Sequence, residues 1–143
     1  MAMNLTSKKC IPCEGETPPM EKGKIEEYLE EVVGWELKEN KLIFKTFGFK
    51  NFKEAIDFVN QVATIAEQEQ HHPDIHIRYR KVTLEFTTHA IHGLSENDFI
   101  MASKIDAMHD WKEKVEKIVV SKMFSIKFLV VLIVVLIIFL LVR

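Results

Sequence analysis

The sequence predicts an α+β domain in two layers, a four-stranded antiparallel sheet with three helices on one face in the order α-β-β-α-β-β-α, followed by a C-terminal transmembrane helix. Three observations lead there. Three segments repeat apolar residues at helical spacing. Between them lie two pairs of segments that alternate with period two and are joined by short polar turns. The chain then ends in a run of Leu, Ile, Val and Phe with no polar face.

Taken in order, residues 1–23 form a leader that Pro12, Pro18 and Pro19 keep extended. A domain follows over 24–118. In "KIEEYLEEVVGW", Ile25, Tyr28, Leu29 and Val32 form the stripe of a first helix that Gly34 stops. "WELKENKLIFKTFGF" reads as a hairpin turning at Glu39 and Asn40, with Leu42 and Phe44 alternating with Ile43 and Lys45. Asn51 and Glu54 make a capping-box start for a second helix, whose stripe of Ile56, Val59, Ala63 and Ala66 reaches about Gln70 before Pro73 ends it. Two further strands, Ile75 to Tyr79 and Lys81 to Thr88, put Val82, Leu84 and Phe86 on one face and Thr83, Glu85 and Thr87 on the other. Leu94, Ser95 and Asp98 resemble a staple and capping box for a third helix carrying Phe99, Ala102, Ile105 and Met108. Strands joined as hairpins, polar on one face, call for helices on the other.

The terminal run Phe128–Val142 has fifteen consecutive apolar residues. Counted from Met123 the segment is long enough for about 30 Å of hydrocarbon. With Lys127 as its one internal charge, insertion is favourable by roughly 1 to 6 kcal/mol. The span is expected over 123–142, and the lysines before it place the domain on the cytoplasmic side of a membrane.

Residues 1–123 carry 17 Lys and Arg against 21 Asp and Glu, a surface that does not attract phosphate backbones, so nucleic acid is not an expected partner. Neither G-x-G-x-x-G nor G-x-x-x-x-G-K-[ST] occurs, which removes the common nucleotide sites. Cys10 and Cys13 in "CIPC" have no second pair, so half a zinc site and a redox pair are weaker readings than a reduced pair in the leader.

Five of the six histidines fall within "EQEQHHPDIHIRYRKVTLEFTTHAIHGLSENDF". His71 and His72 end the second helix, His76 lies in the third strand and His89 closes the fourth, so a helix end and a strand end can meet. Neither H-E-x-x-H nor a Cys-His ligand set appears, which argues against a metal site. "EQEQHHP", an aromatic at Tyr79, "TTH" ending in His89 and "GLSENDF" together resemble the pterin-4a-carbinolamine dehydratase family, in its pattern Glu-x3-His-His-Pro…His…Asp. The similarity runs from about Leu5 to Met108, and the leader "CIPCEGETPP" also resembles that of microbial members.

The resemblance implies this fold, no metal or tightly bound cofactor, and assembly into a homo-dimer or homo-tetramer. It implies a 4a-hydroxytetrahydropterin substrate, dehydrated to quinonoid dihydropterin during tetrahydropterin recycling, with an aromatic amino acid hydroxylase as partner. Losing hydroxide from C4a needs one proton delivered to the leaving oxygen and another removed from the adjacent ring nitrogen, which is work suited to imidazoles. By position, His71 and His89 match the principal acid-base residues and His72 their substrate-binding neighbour. Glu67, one turn before His71, is placed to orient an imidazole, and Asp98 to serve His89. Thr87, Thr88 and Asp98 are expected to contact substrate, although the capping box alone would also account for Asp98. Gln70 departs from family members with an acid there. A catalytically idle dimerisation or assembly scaffold of the same fold is the rival expectation.

Overall fold

The computed structural model describes residues 4–11 and 18–110. The chain divides into two units, Met1–Ala107 and Met108–Arg143, and the sheet and its cleft belong to the first. Helix α1 (Lys22–Glu31), strands β1 (Glu36–Lys38) and β2 (Leu42–Gly48), helix α2 (Phe52–Glu69), strands β3 (Asp74–Arg78) and β4 (Lys81–Phe86) follow one another. Helix α3 starts at residue 96 and is described to 110. All pairings are antiparallel, in the order β1-β2-β4-β3.

Local chemistry explains the turns. Glu39 and Asn40 both adopt positive φ, 55° and 54°, as a tight hairpin turn of the primed type needs, and Lys41 N–H closes it on the Lys38 carbonyl at 3.0 Å. Gly34, at φ 82°, redirects the chain after α1. Gly93 is required by proximity, since a Cβ there would lie 2.8 Å from Pro19 Cβ. At the start of α2 the Asn51 side chain accepts from Glu54 N–H at 2.9 Å while Glu54 reaches back to Lys50 N–H at 3.2 Å, so the capping signal works nearly as expected.

The core lies between the helices and one sheet face. Val82, Leu84 and Phe86 are fully buried, as the alternation requires, and Phe99, Ala102 and Ile105 of α3 join them. One sequence expectation, the stripe of α2, needs correction, and the inner face of β2, left open by the alternation, is decided. On β2 the buried face is Ile43–Lys45–Phe47, with Leu42 and Phe44 half-buried on the other side. Lys45 tolerates the inner face because its Nζ lies over the Trp35 and Phe47 rings, 6.0 and 5.4 Å from their centroids, and donates to Asp106 Oδ1 at 2.7 Å and to the Val33 carbonyl at 2.8 Å. Along α2 the buried stripe is Ala55, Phe58, Val62 and Ala66; Ala66 is as expected, and the other three stand one position before the expected Ile56, Val59 and Ala63, with Phe58 packed on Phe47 and Phe49 at ring centroid distances of 4.7 and 5.0 Å.

The expected C-terminal transmembrane helix is also corrected, and with it the membrane anchor and the cytoplasmic placement. Among the described residues no helix is long and apolar enough to cross a membrane, and 123–142 lies outside the described residues. Helix α2 has 18 residues but carries Lys53, Glu54, Asp57, Glu67 and Glu69, the pattern of a helix lying over a sheet.

Residues 4–11 dock on α3 and the end of α2. Leu5 opens a 3-10 turn and is buried, and Thr6 Oγ1 meets Ser103 Oγ at 2.7 Å. Lys8 Nζ pairs with Glu96, whose Oε1 also accepts from Tyr28 at 2.9 Å. Burial first, then this bond to Glu96, pushes the Tyr28 hydroxyl up to about 12. Glu69, with a side chain only 11% exposed, pairs with Lys104 Nζ at 2.5 Å and accepts Cys10 N–H at 2.9 Å. Chiefly through the Lys104 bond, then the Cys10 amide, the Glu69 carboxyl is held below its ordinary value.

Two outcomes are expected from this packing. Asp106→Ala takes the counter-charge from Lys45 and the acceptor from the Trp35 Nε1–H, which donates to Asp106 at 3.0 Å, and should destabilise the domain by about 2–3 kcal/mol in urea unfolding. A carboxyl with a lowered folded pKa stabilises fully above its unfolded value and loses that contribution as pH falls through the folded value. Leader docking should therefore be intact above about pH 4.5, the reference value for Glu69, and weaken below it. Hydrogen exchange at the Cys10 amide between pH 3 and 6 checks this, and an unchanged protection factor would contradict it.

Candidate active site

The end of α2 builds the first wall of a cleft. Gln70 takes the left-handed conformation at φ 53°, a place that favours glycine, and His71 N–H reaches back to the Ala66 carbonyl at 3.2 Å. That bond closes a Schellman turn, and Gln70 Nε2 caps the Glu67 carbonyl at 2.7 Å. The helix has ended before His71, so the i,i+4 relation with Glu67 no longer applies. His71 swings toward the start of α3, and His72 comes onto Glu67.

At its new position His71 Nε2 donates to Asp98 Oδ1 at 2.8 Å, and its ring lies nearly parallel to Phe86, centroids 6.1 Å apart. Asp98 is fully buried. Its other oxygen accepts from Thr88 Oγ1 at 2.8 Å and from Ser95 N–H at 2.8 Å, the second being the reciprocal bond of the capping box. Ser95 Oγ stands 2.7 Å from Thr88 Oγ1, so both hydroxyls are engaged. Asp98 thus caps α3 and holds an imidazole at once. The expected pairings are exchanged: Asp98 serves His71 and not His89, while Glu67 Oε1 meets His72 Nε2 at 3.0 Å.

The opposite wall comes from the residues after β4. Thr87 Oγ1 donates to the Lys41 carbonyl at 2.8 Å, and Thr88 bridges to Gly93. His89 opens a 3-10 turn with its side chain largely exposed, 3.7 Å from Asp74 Oδ2. His71, His72, Thr87, Thr88 and His89 line one cleft of about 710 Å³, a size suited to a small molecule. Sequence reasoning brought these five together. It missed Cys10, Ile11, Glu69 and Asn97, which line the same cleft. Asn97 lies inside the "SEND" segment, but nothing in the sequence signals that it faces the leader. Glu67 and Asp98 stand behind the histidines they bond. His76 lies apart, on the outer sheet face with Glu85.

Chemically the cleft offers one imidazole fixed by a buried carboxylate and two exposed ones. With Nε2–H committed to Asp98, His71 keeps Nδ1 for exchange with a bound molecule, as a base when neutral and an acid when protonated. Among the described residues no group of three or more His, Cys, Asp or Glu is arranged to hold a metal ion.

The family pattern described as pterin 4 alpha carbinolamine dehydratase matches residues 18–108. A relative from Nitrosomonas eutropha, provisionally named pterin-4-alpha-carbinolamine dehydratase, is 48% identical over 106 residues, 73% of this chain and 93% of that one. One of the same provisional name from Nitrosospira multiformis is 49% identical over 105 residues, covering 73% and 92%. A crystal structure from Brucella melitensis, described as a transcriptional coactivator/pterin dehydratase, superposes with a TM-score of 0.59 at 32% identity, covering 62% of this chain and 96% of that one. The matched region contains every residue of the histidine cleft except those of the leader, and the chain belongs to the pterin 4 alpha carbinolamine dehydratase family.

Proposed function

We propose that this chain dehydrates a 4a-hydroxytetrahydropterin, such as the biopterin form, to quinonoid dihydropterin and water, and so supports tetrahydropterin recycling beside an aromatic amino acid hydroxylase. The observation that carries the reading is the His71–Asp98 pair set in a cleft shared with His72 and His89. In the reaction the C4a–O bond breaks with its electron pair leaving on oxygen, which takes a proton to become water. The adjacent ring nitrogen gives up its proton, and its electrons form the new C=N bond. One group must donate and one must accept, and proton exchange through solvent restores both.

His71 and His89 take these two roles. Asp98 fixes the tautomer and orientation of His71, so that Nδ1 is the exchanging atom. His72, oriented by Glu67, binds substrate, and the Thr87 and Thr88 segment supplies polar contacts to the ring. The loss of all three histidines would have favoured a scaffold; their presence, two of them carboxylate-supported, favours the enzyme.

His71→Ala and His89→Ala should each lower kcat by about 10² to 10⁴-fold. His72→Ala should raise KM more than it lowers kcat, because a contact made equally in ground and transition states affects binding alone. Asp98→Asn presents the wrong partner to His71 and should cost about 10²-fold or more in kcat. His76→Ala, on the outer sheet face, is the control. A stopped-flow dehydration assay reads all of these, and turnover within a factor of about two for both His71→Ala and His89→Ala would reject the assignment in favour of the scaffold.

The same reading includes self-association as a homo-dimer or homo-tetramer. Strand β3 lies at one end of the sheet order with its five residues paired on one side only, an edge that proteins generally cover. Light scattering at micromolar concentration should give a mass of at least two chains; a monomer would count against it.

A further inference from the structure

The leader enters the cleft without a role in the chemistry above, yet two nearly buried side chains are devoted to holding it there. Asn97, 6% exposed, grips a single residue at two points: its Oδ1 accepts Ile11 N–H at 3.0 Å and its Nδ2 donates to the Ile11 carbonyl at 2.6 Å. One residue earlier, Glu69 accepts Cys10 N–H, with its other oxygen anchored by Lys104. These are bonds to backbone. They fix where residue 11 lies whatever its side chain is, much as a strand neighbour would.

What they present is an isoleucine, 71% exposed, lining the cleft that holds His71, His72 and His89. Ile11 is β-branched and so stiff at χ1. A rigid apolar side chain on a clamped backbone, facing a cleft whose other residues are largely polar, is suited to cover an apolar surface of a ligand. A reduced pterin has one: the saturated carbons of its ring, away from the heteroatom edge that imidazoles and hydroxyls would engage.

We propose that residues 8–11 are a fixed strap forming a third wall of the substrate cleft, and that Ile11 is a specificity-determining residue packing on the saturated side of the bound pterin. The assignment rests on the dehydratase reading for the identity of the ligand. Asn97 and Glu69 are positioning residues for the strap.

The test uses the full chain and two readouts, carbinolamine turnover and equilibrium binding of a tetrahydropterin. Ile11→Ser should raise both KM and Kd by roughly 5- to 30-fold, the loss expected for part of an isoleucine's burial. Its kcat should stay within a factor of about two, as for a contact made equally in ground and transition states. Ile11→Val should restore most of the affinity. Val33→Ser, at an equally exposed apolar residue outside the cleft, should do nothing. The melting temperature of Ile11→Ser should match that of the parent, which separates a binding effect from misfolding. A parent that binds and turns over, with Ile11→Ser unchanged in KM and Kd, would overturn the strap and leave the dehydratase reading standing. A parent that neither binds a tetrahydropterin nor turns over would reject the dehydratase reading, and the strap's assigned ligand with it.

Discussion

The two oxygens of Asp98 join the fold to the site. One accepts from the backbone of Ser95 and the hydroxyl of Thr88, which fixes the start of α3 against the end of β4; the other receives His71 from the end of α2. Three elements therefore converge on one buried carboxylate. Its cost of desolvation is offset by this set of donors, and removing any of them would leave charge or polarity unmatched in the interior. Fold and chemistry cannot be varied independently at this position.

Geometry around that carboxylate also separates the histidines by kind. His71 is held on three sides, by Asp98, by the ring of Phe86 and by its own backbone bond to Ala66. His72 and His89 stand at the mouth with side chains about half and three-quarters exposed. The first has its orientation fixed before a ligand arrives, which would lower the reorganisation needed in the proposed proton transfer. The others retain rotamer freedom and must be ordered by what binds.

Much of this was legible in the sequence, and the parts that were not share a cause. Alternation through Val82, Leu84 and Phe86 identified the inner face of β4, and Asn51 with Glu54 marked the start of α2, because both signals act between near neighbours. The partners of Glu67 and Asp98 were not legible: they depend on Gln70 adopting a left-handed turn with no glycine to announce it. The inner face of β2 was not legible for a related reason, since a charge such as Lys45 is acceptable there only where Asp106 and the Val33 carbonyl lie within reach. Leader docking belongs to the same class, being made by residues far apart along the chain.

That separation also bears on how the site comes into being. Asn97 and the leader backbone meet across 86 residues, and His71 meets Asp98 across 27. Contacts of such long range close loops whose entropy must be overcome before any of them is rewarded, and they form late compared with turns and helix caps. A chain that has made its hairpins and helices already carries every histidine, yet it has no cleft. Recovery of ligand binding during refolding thus follows the final docking of segments, and a spectroscopic signal that follows helix content would rise before it.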